Sequence, residues 1–292
     1  CGAWCVRRLV RQLGDHVLDI GSGSGLLAMM AVRAGAKRVS SLEMVPAMAS
    51  VARHCVKANG MDGRIRVHEM KSTDIEPEDL GGRAGMLVCE LVDNEMLGEG
   101  TLFSIADARR RLLVPKARVV PRGGILFALP IELKTPRRGG LALDELRLFN
   151  TDACFREGKY SNDGRKMQLL GDDEWAALGP PLRLFDFDWE NEPVDTLCDP
   201  RVATLPLTLT ATGTLNAFLV YFHLACDAEA ANTMSTGPDD VPFPAGGPPT
   251  HWDSSLRYLP CEVVVEAGQT LDVVARHTDT STQLGVRGVH PA

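Results

Sequence analysis

A chain of 292 residues that is 45% hydrophobic and 24% charged has the composition of a soluble globular protein and the length of two modules. A formal net charge of −7 excludes the basic footprint of a non-specific nucleic-acid binder and suits basic partners such as Arg-rich or Lys-rich peptides. No apolar run reaches the roughly 18–20 residues of a membrane span, and no signal peptide is visible. Eight cysteines, at 1, 5, 55, 89, 154, 198, 226 and 261, form no CxxC and no zinc spacing. They are expected to be reduced thiols of a protein of the cytoplasm and/or nucleus.

In chain order, Trp4, Val6, Leu9, Val10 and Leu13 have helical spacing. HVLDI (16–20) predicts a strand, GSGSG (21–25) a turn, and LLAMMAVRAGA (26–36) a helix ending near Gly35. RVSSLE (38–43) is the next strand, residues 44–60 a helix closing at Asn59-Gly60, RIRVHEM (64–70) a third strand, and AGMLVCEL (84–91) a fourth, apolar enough to be buried on both faces. A helix around 101–113 and the segment 118–133 complete an alternation that implies a parallel sheet with right-handed crossovers. Beyond about residue 120 the pattern changes. LRLFDFDW, residues 203–226, 256–277 and TQLGVRG alternate and carry little helix signal, which predicts an antiparallel barrel or sandwich. Residues 145–180 look partly helical and polar, an insertion, and GPDDVPFPAGGPPT (237–250) is a long loop. The expected division is 1–120 and 121–292.

VLDIGSGSG carries the first chemical signal. Glycines at 21, 23 and 25 let the backbone approach a ligand, but Leu26 stands where the dinucleotide fingerprint wants its third glycine, and no GK[ST] follows. Asp19 precedes the turn and Glu43 ends the next strand, where a carboxylate can accept hydrogen bonds from both ribose hydroxyls of a nucleoside. The combination resembles the S-adenosylmethionine site of class I methyltransferases. The second signal is CELVDNEMLGEG (89–100), which places Glu90, Asp93, Glu95 and Glu99 after the fourth strand. So many acids repel one another unless something cationic sits among them. A methyl donor held at the ends of the first two strands puts its sulfonium near the end of the fourth. Two carboxylates there can grip a guanidinium fork and hold one nitrogen in line.

Together with VLDIGSGSGLLAMMAVRAGA, SLEMVPAM and THW (250–252), this loop resembles the protein arginine methyltransferases over nearly the whole chain. The wording KSTDIE and ELVDNEMLGEG is similar to the monomethylating and symmetric-dimethylating branches, and Thr101 stands where the asymmetric branch usually has Met. The resemblance implies an α/β Rossmann-like domain followed by an antiparallel β-barrel with a helical dimerisation-arm insertion at about 145–180. It implies S-adenosyl-L-methionine as methyl donor and S-adenosyl-L-homocysteine as product. Asp19, Gly21, Ser22, Gly23, Gly25, Leu26, Glu43, Met44, Lys71, Ser72 and Glu90 would contact the donor, with Lys71 and Ser72 near the adenine. Glu90 and Glu99 would bind and polarise the guanidinium, His251 would handle a proton or order the pocket, and Trp252 would wall it. No metal is expected. The implied partners are arginine-containing proteins, Arg/Gly-rich or histone-like, with no nucleic acid or membrane, in a homodimer or a pseudo-dimer with a second module. The family's aromatic N-terminal lid needs more than the 18 residues that precede Asp19, which leave room for one helix. The competing expectations are therefore a class I methyltransferase of other acceptor specificity and a cofactor-binding scaffold without turnover.

Overall fold

The computed structural model describes residues 15–134, 163–165, 174–226, 233–238 and 252–287. The N-terminal helical pattern, most of the 145–180 insertion, the Pro/Gly loop after residue 238 and His251 lie outside them.

The first half follows the alternation in the sequence. Strand β1 (His16–Ile20) is buried throughout, as a strand covered on both faces must be. Helix α1 (Leu26–Ala34) stops at Gly35, whose φ of 117° lets its amide turn back to the carbonyls of Ala31 and Val32. Strand β2 (Arg38–Glu43) leads to helix α2 (Pro46–Ala58), which opens on a proline, where the missing N–H costs nothing. Strand β3 (Ile65–Glu69), a 3₁₀ turn (Ser72–Asp74) and strand β4 (Ala84–Cys89) follow. Helix α3 (Thr101–Asp107) runs into a wider π-helical turn (Ala108–Leu112), and strand β5 spans Leu113–Val120. The sheet order is β3-β2-β1-β4-β5, all parallel. The direction of winding reverses between β1 and β4, so the crevice outside their carboxyl ends is where such a sheet takes a ligand.

The segment 118–133 divides in two. β5 closes the parallel sheet, the chain turns at Pro121-Arg122, and β6 (Gly123–Leu133) opens an antiparallel half. There β7 (Asp163–Arg165), β8 (Trp175–Ala177), β9 (Leu182–Asp188), β10 (Arg201–Thr208), β11 (Gly213–Ala225), β12 (Thr233–Ser235), β13 (Ser254–Val265), β14 (Thr270–His277) and β15 (Thr282–Val286) follow. They pair as β7-β13-β11-β6-β8, with β9 on β6 and β12 on β11, and as β10-β14-β15. Among the described residues the expected antiparallel domain is present as two sheets. Within the insertion expected to be partly helical, the described residues include two short strands, β7 and β8.

One apolar core runs unbroken from Leu18, Leu42 and Leu87 of the parallel sheet through Met96 and Leu102 to Phe218 and Phe222 of β11. Arginines reinforce the junction. Arg109 donates to the Glu192 carbonyl at 2.7 Å, Arg118 to Glu190 at 2.8 Å and Arg122 to Asp188 at 3.0 Å. The halves are held in one relative position, which a site drawing side chains from both requires.

Candidate active site

The expected cofactor residues fall on one edge of the parallel sheet. Register pairs Ile20 with Leu42 and with Cys89, and Glu43 with Glu69, so Asp19, Glu43, Lys71–Ser72 and Glu90 all stand at the carboxyl ends of adjacent strands. The turn after β1 is left-handed at Gly21, Gly23 and Gly25, with φ of 76°, 52° and 80°. The amides of Gly21 and Ser22 both donate to the Leu42 carbonyl, at 3.0 and 3.1 Å, which seats the turn on β2. A side chain on Gly21 would put its Cβ 2.8 Å from Leu91 Cδ2, so the turn packs directly against the acidic loop. Over Gly23 there is open space to 4 Å, a bare backbone cradle.

Glu43 is buried, and its two oxygens accept the amides of Gly23 and Val45, each at 2.9 Å. Each oxygen keeps a second lone pair, so a vicinal diol can still be bound. Asp19 is fully buried. Its Oδ2 accepts the Ser41 hydroxyl at 2.9 Å, and its Oδ1 has no partner among the described residues. The buried Ser22 hydroxyl is likewise without one. An orphaned carboxylate oxygen, an orphaned hydroxyl and an open glycine cradle are what a bound polar cofactor would complete. Leu26 and Met44 are exposed on the same rim, and Lys71 is exposed above the buried Ser72, whose carbonyl is held by Arg111 at 2.9 Å.

The acidic loop is built from its own side chains. Asp93 Oδ1 accepts the amides of Glu95 and Gly98, both at 3.0 Å, closing a tight turn. A Cβ on Gly98 would sit 2.0 Å from Asp93 Oδ2, so only glycine fits there. Met96 adopts φ 73°, a strained value for a side-chain-bearing residue. It is fully buried, and a Cβ on Gly124 of β6 would lie 2.4 Å from its sulfur. Thr101 sets its hydroxyl against the carbonyls of Leu91 and Met96. From the other half, Trp252 donates its indole N–H to the Val92 carbonyl at 2.8 Å and packs edge-on against Phe222. The Asp253 amide donates to Asn94 Oδ1 at 3.0 Å. Glu95 is buried in an ion pair with Arg257 of β13. Of the four acids, Glu90 and Glu99 alone are exposed.

Comparison with known proteins agrees with this geometry. The family model of ribosomal protein L11 methyltransferase (PrmA) matches residues 3–97. An arginine N(omega)-methyltransferase from Streptomyces achromogenes subsp. streptozoticus is 35% identical over 280 residues, covering 94% of this chain and 71% of that protein. The chain belongs to the arginine N-methyltransferase family. Protein arginine N-methyltransferase 7 of Aedes aegypti is 29% identical over 93% of this chain and 43% of its own length, so the chain spans less than half of that relative. Among solved structures, the Trypanosoma brucei PRMT1 enzyme-prozyme complex with AdoHcy has a TM-score of 0.72 at 20% identity, covering 98% of this chain and 93% of that one. A PRMT6-SAH structure has a TM-score of 0.71 at 18% identity over 98% and 95%. At these identities the likeness is one of fold. As a member of this family, the protein is a class I methyltransferase whose cofactor is S-adenosylmethionine.

Within the arginine N-methyltransferase frame, His251 lies outside the described residues, while its neighbour Trp252 reaches the acidic loop through Val92. Asn94 and Arg257 were not legible as site residues. Arg257 did leave a trace, as a lone charge inside the apolar run SSLRYLP.

Burial pushes the Asp19 carboxyl up to about 7, against the pull of the Ser41 hydroxyl and the Ala28 amide and with a further push from the Glu43 charge. The folded chain therefore holds a proton that the unfolded chain, with a carboxyl near 3.8, has lost. Stability should fall as pH rises between those two values, by up to about 1.4 kcal/mol per pH unit, and flatten above. Urea denaturation from pH 5 to 8 reads this slope, and Asp19→Asn should remove it. An unchanged slope in that variant would locate the proton elsewhere.

Proposed function

We propose that this protein transfers a methyl group from S-adenosylmethionine to a guanidinium nitrogen of arginine in protein substrates, with Glu90 and Glu99 as the residues that hold the guanidinium. The observation that carries this reading is the sorting of the acidic loop. Asp93 accepts two backbone amides and Glu95 pairs with Arg257, both turned inward, while Glu90 and Glu99 are exposed, Glu90 directly after β4 and against the glycine turn.

S-adenosylmethionine supplies an electrophilic methyl on a sulfonium centre. The chain's own residues do the rest by orientation and electrostatics. Asp19, Glu43 and the bare backbone of Gly21–Gly25, with Ser22, hold the donor, while Leu26, Met44, Lys71 and Ser72 border it. Glu90 and Glu99 accept hydrogen bonds from the flat guanidinium fork, fix one nitrogen in line with the methyl, and draw positive charge toward the nitrogens they bind. Half-buried Trp252, edge-on to Phe222 and bonded to the Val92 carbonyl, braces the far wall of the loop. By the family motif His251 handles a proton or orders the pocket. In this reading residues 1–120 serve the cofactor and 121–292 the acceptor. The substrate class is Arg/Gly-rich or histone-like, and the protein works as a homodimer or as a pseudo-dimer with a second module.

The test is methyl transfer to one Arg-Gly-rich peptide and to its twin with citrulline at each arginine. Citrulline keeps the shape and loses the charge, so it should accept nothing. Equal transfer to both would place the methyl outside a carboxylate clamp.

A further inference from the structure

The Glu95–Arg257 pair has no counterpart in the cofactor or guanidinium roles above, and its placement is unusual. It joins residues 162 apart in sequence, with Glu95 2% and Arg257 6% exposed. Arg257 is fixed on β13, between β7 and β11 of the larger antiparallel sheet, paired with Phe218 of β11. Its Nε and Nη1 have no partner among the described residues. A buried ion pair with unfilled donors is a poor source of stability, since well-packed apolar residues of the same volume do as well or better. What it supplies is orientation: two buried charged groups can pair with each other in one register only.

That register matters because of where the pair sits. The anchors of the loop on the antiparallel half are Val92 to Trp252, Asn94 to Asp253, Glu95 to Arg257 and Met96 against Gly124. All of them fall between Glu90 and Glu99. The two exposed acids flank this pinned stretch, and among the described residues Glu95 is the acid of the loop that pairs with a charge on the antiparallel half. Burial holds the Glu95 carboxyl above its ordinary range, Arg257 pulls it back, and Asp93 adds a further push.

We propose that Glu95 and Arg257 are positioning residues for arginine methylation: the pair fixes the spacing of Glu90 and Glu99 to that of one guanidinium and withdraws Glu95 from competing for it. This rests on the clamp reading of Glu90 and Glu99. With the pair broken on the acid side, as in Glu95→Gln, a buried positive charge stands behind the clamp and opposes a guanidinium. With both charges removed, as in Glu95→Met with Arg257→Met, the core is refilled but the register is no longer specified.

The experiment measures kcat, KM for an Arg-Gly-rich peptide, S-adenosylmethionine Kd and Tm for the wild type, E95Q, E95D, R257K and the double Met variant. The double variant should keep its Tm and a cofactor Kd within about twofold, yet lose kcat by about 10–100-fold, the scale of an ångström of misplacement. R257K, which keeps the charge without the fork, should lose kcat by about tenfold or more. E95D should retain more kcat than E95Q, and E95Q should also raise the peptide KM. Wild-type kcat and KM in the double variant, or a loss that only follows the folded fraction, overturns the proposal. If the double variant does not fold, wild-type kcat in R257K overturns it instead. A wild type that methylates no arginine peptide fails earlier and differently, because then the clamp reading itself is wrong.

Discussion

Glu90→Gln and Glu99→Gln each lower kcat for arginine-peptide methylation by about 10²–10³-fold and leave S-adenosylmethionine affinity within about threefold. The substitution is nearly isosteric, so the loop keeps its fold. The Asp93 carboxylate, Thr101, Trp252 and Arg257 anchor it. What is lost is the negative charge that binds the fork and concentrates its positive charge away from the attacking nitrogen. Gln offers one carbonyl oxygen and an NH₂ that opposes the guanidinium donors. The two variants differ at the cofactor side. Glu90 follows β4 directly, and its carbonyl lies 3.5 Å from where a Cβ on Gly21 would stand, so a small rise in cofactor Kd belongs to Glu90→Gln and none to Glu99→Gln. Stopped-time peptide assays with a separate cofactor titration resolve the two quantities. Near-full kcat in either variant removes that carboxylate from the chemistry.

Gly21→Val weakens S-adenosylmethionine binding by at least about tenfold and lowers kcat with it. Two costs combine. A β-branched residue at φ 76° is in a region that L side chains disfavour by about 1–2 kcal/mol or more. Its Cβ also meets Leu91 Cδ2 at 2.8 Å, and relieving that overlap in a packed site costs about 1–3 kcal/mol. The relief has two directions. Moving the turn takes the Gly21 and Ser22 amides off the Leu42 carbonyl and opens the cradle. Moving Leu91 displaces its neighbour Glu90, so the acceptor side is damaged as well. Gly23→Ala is the internal comparison: it bears the backbone strain at φ 52° with no clash in the free protein, and should cost stability without moving the acidic loop. Calorimetric titration of both variants separates the effects, and wild-type affinity in Gly21→Val would show that the turn is not the cofactor's seat.

The parallel half was legible because its signals are local. A glycine at Gly35, a proline at Pro46 and period-2 or continuous apolar runs announce element ends without reference to distant residues. The division of 118–133 was not legible, because one apolar run serves two sheets and only tertiary pairing separates β5 from β6. The site shows the same contrast. Asp19, Gly21, Gly23, Gly25 and Glu43 were readable from strand-turn-helix chemistry, and the acids of 90–99 from their density. Which acids remain exposed was not readable. That depends on Arg257, Trp252 and Asp253, more than 150 residues away. Arg257 compensates one of the four acids of the loop, Glu95.

The measurement that tests the account most directly is the mass of an Arg-Gly-rich peptide and of its Arg-to-Lys twin after incubation with this protein and S-adenosylmethionine. The account predicts a gain of one methyl mass or more on the arginine peptide and none on the lysine twin. Transfer to the lysine twin, or no transfer to the arginine peptide by protein that binds the cofactor, would contradict it.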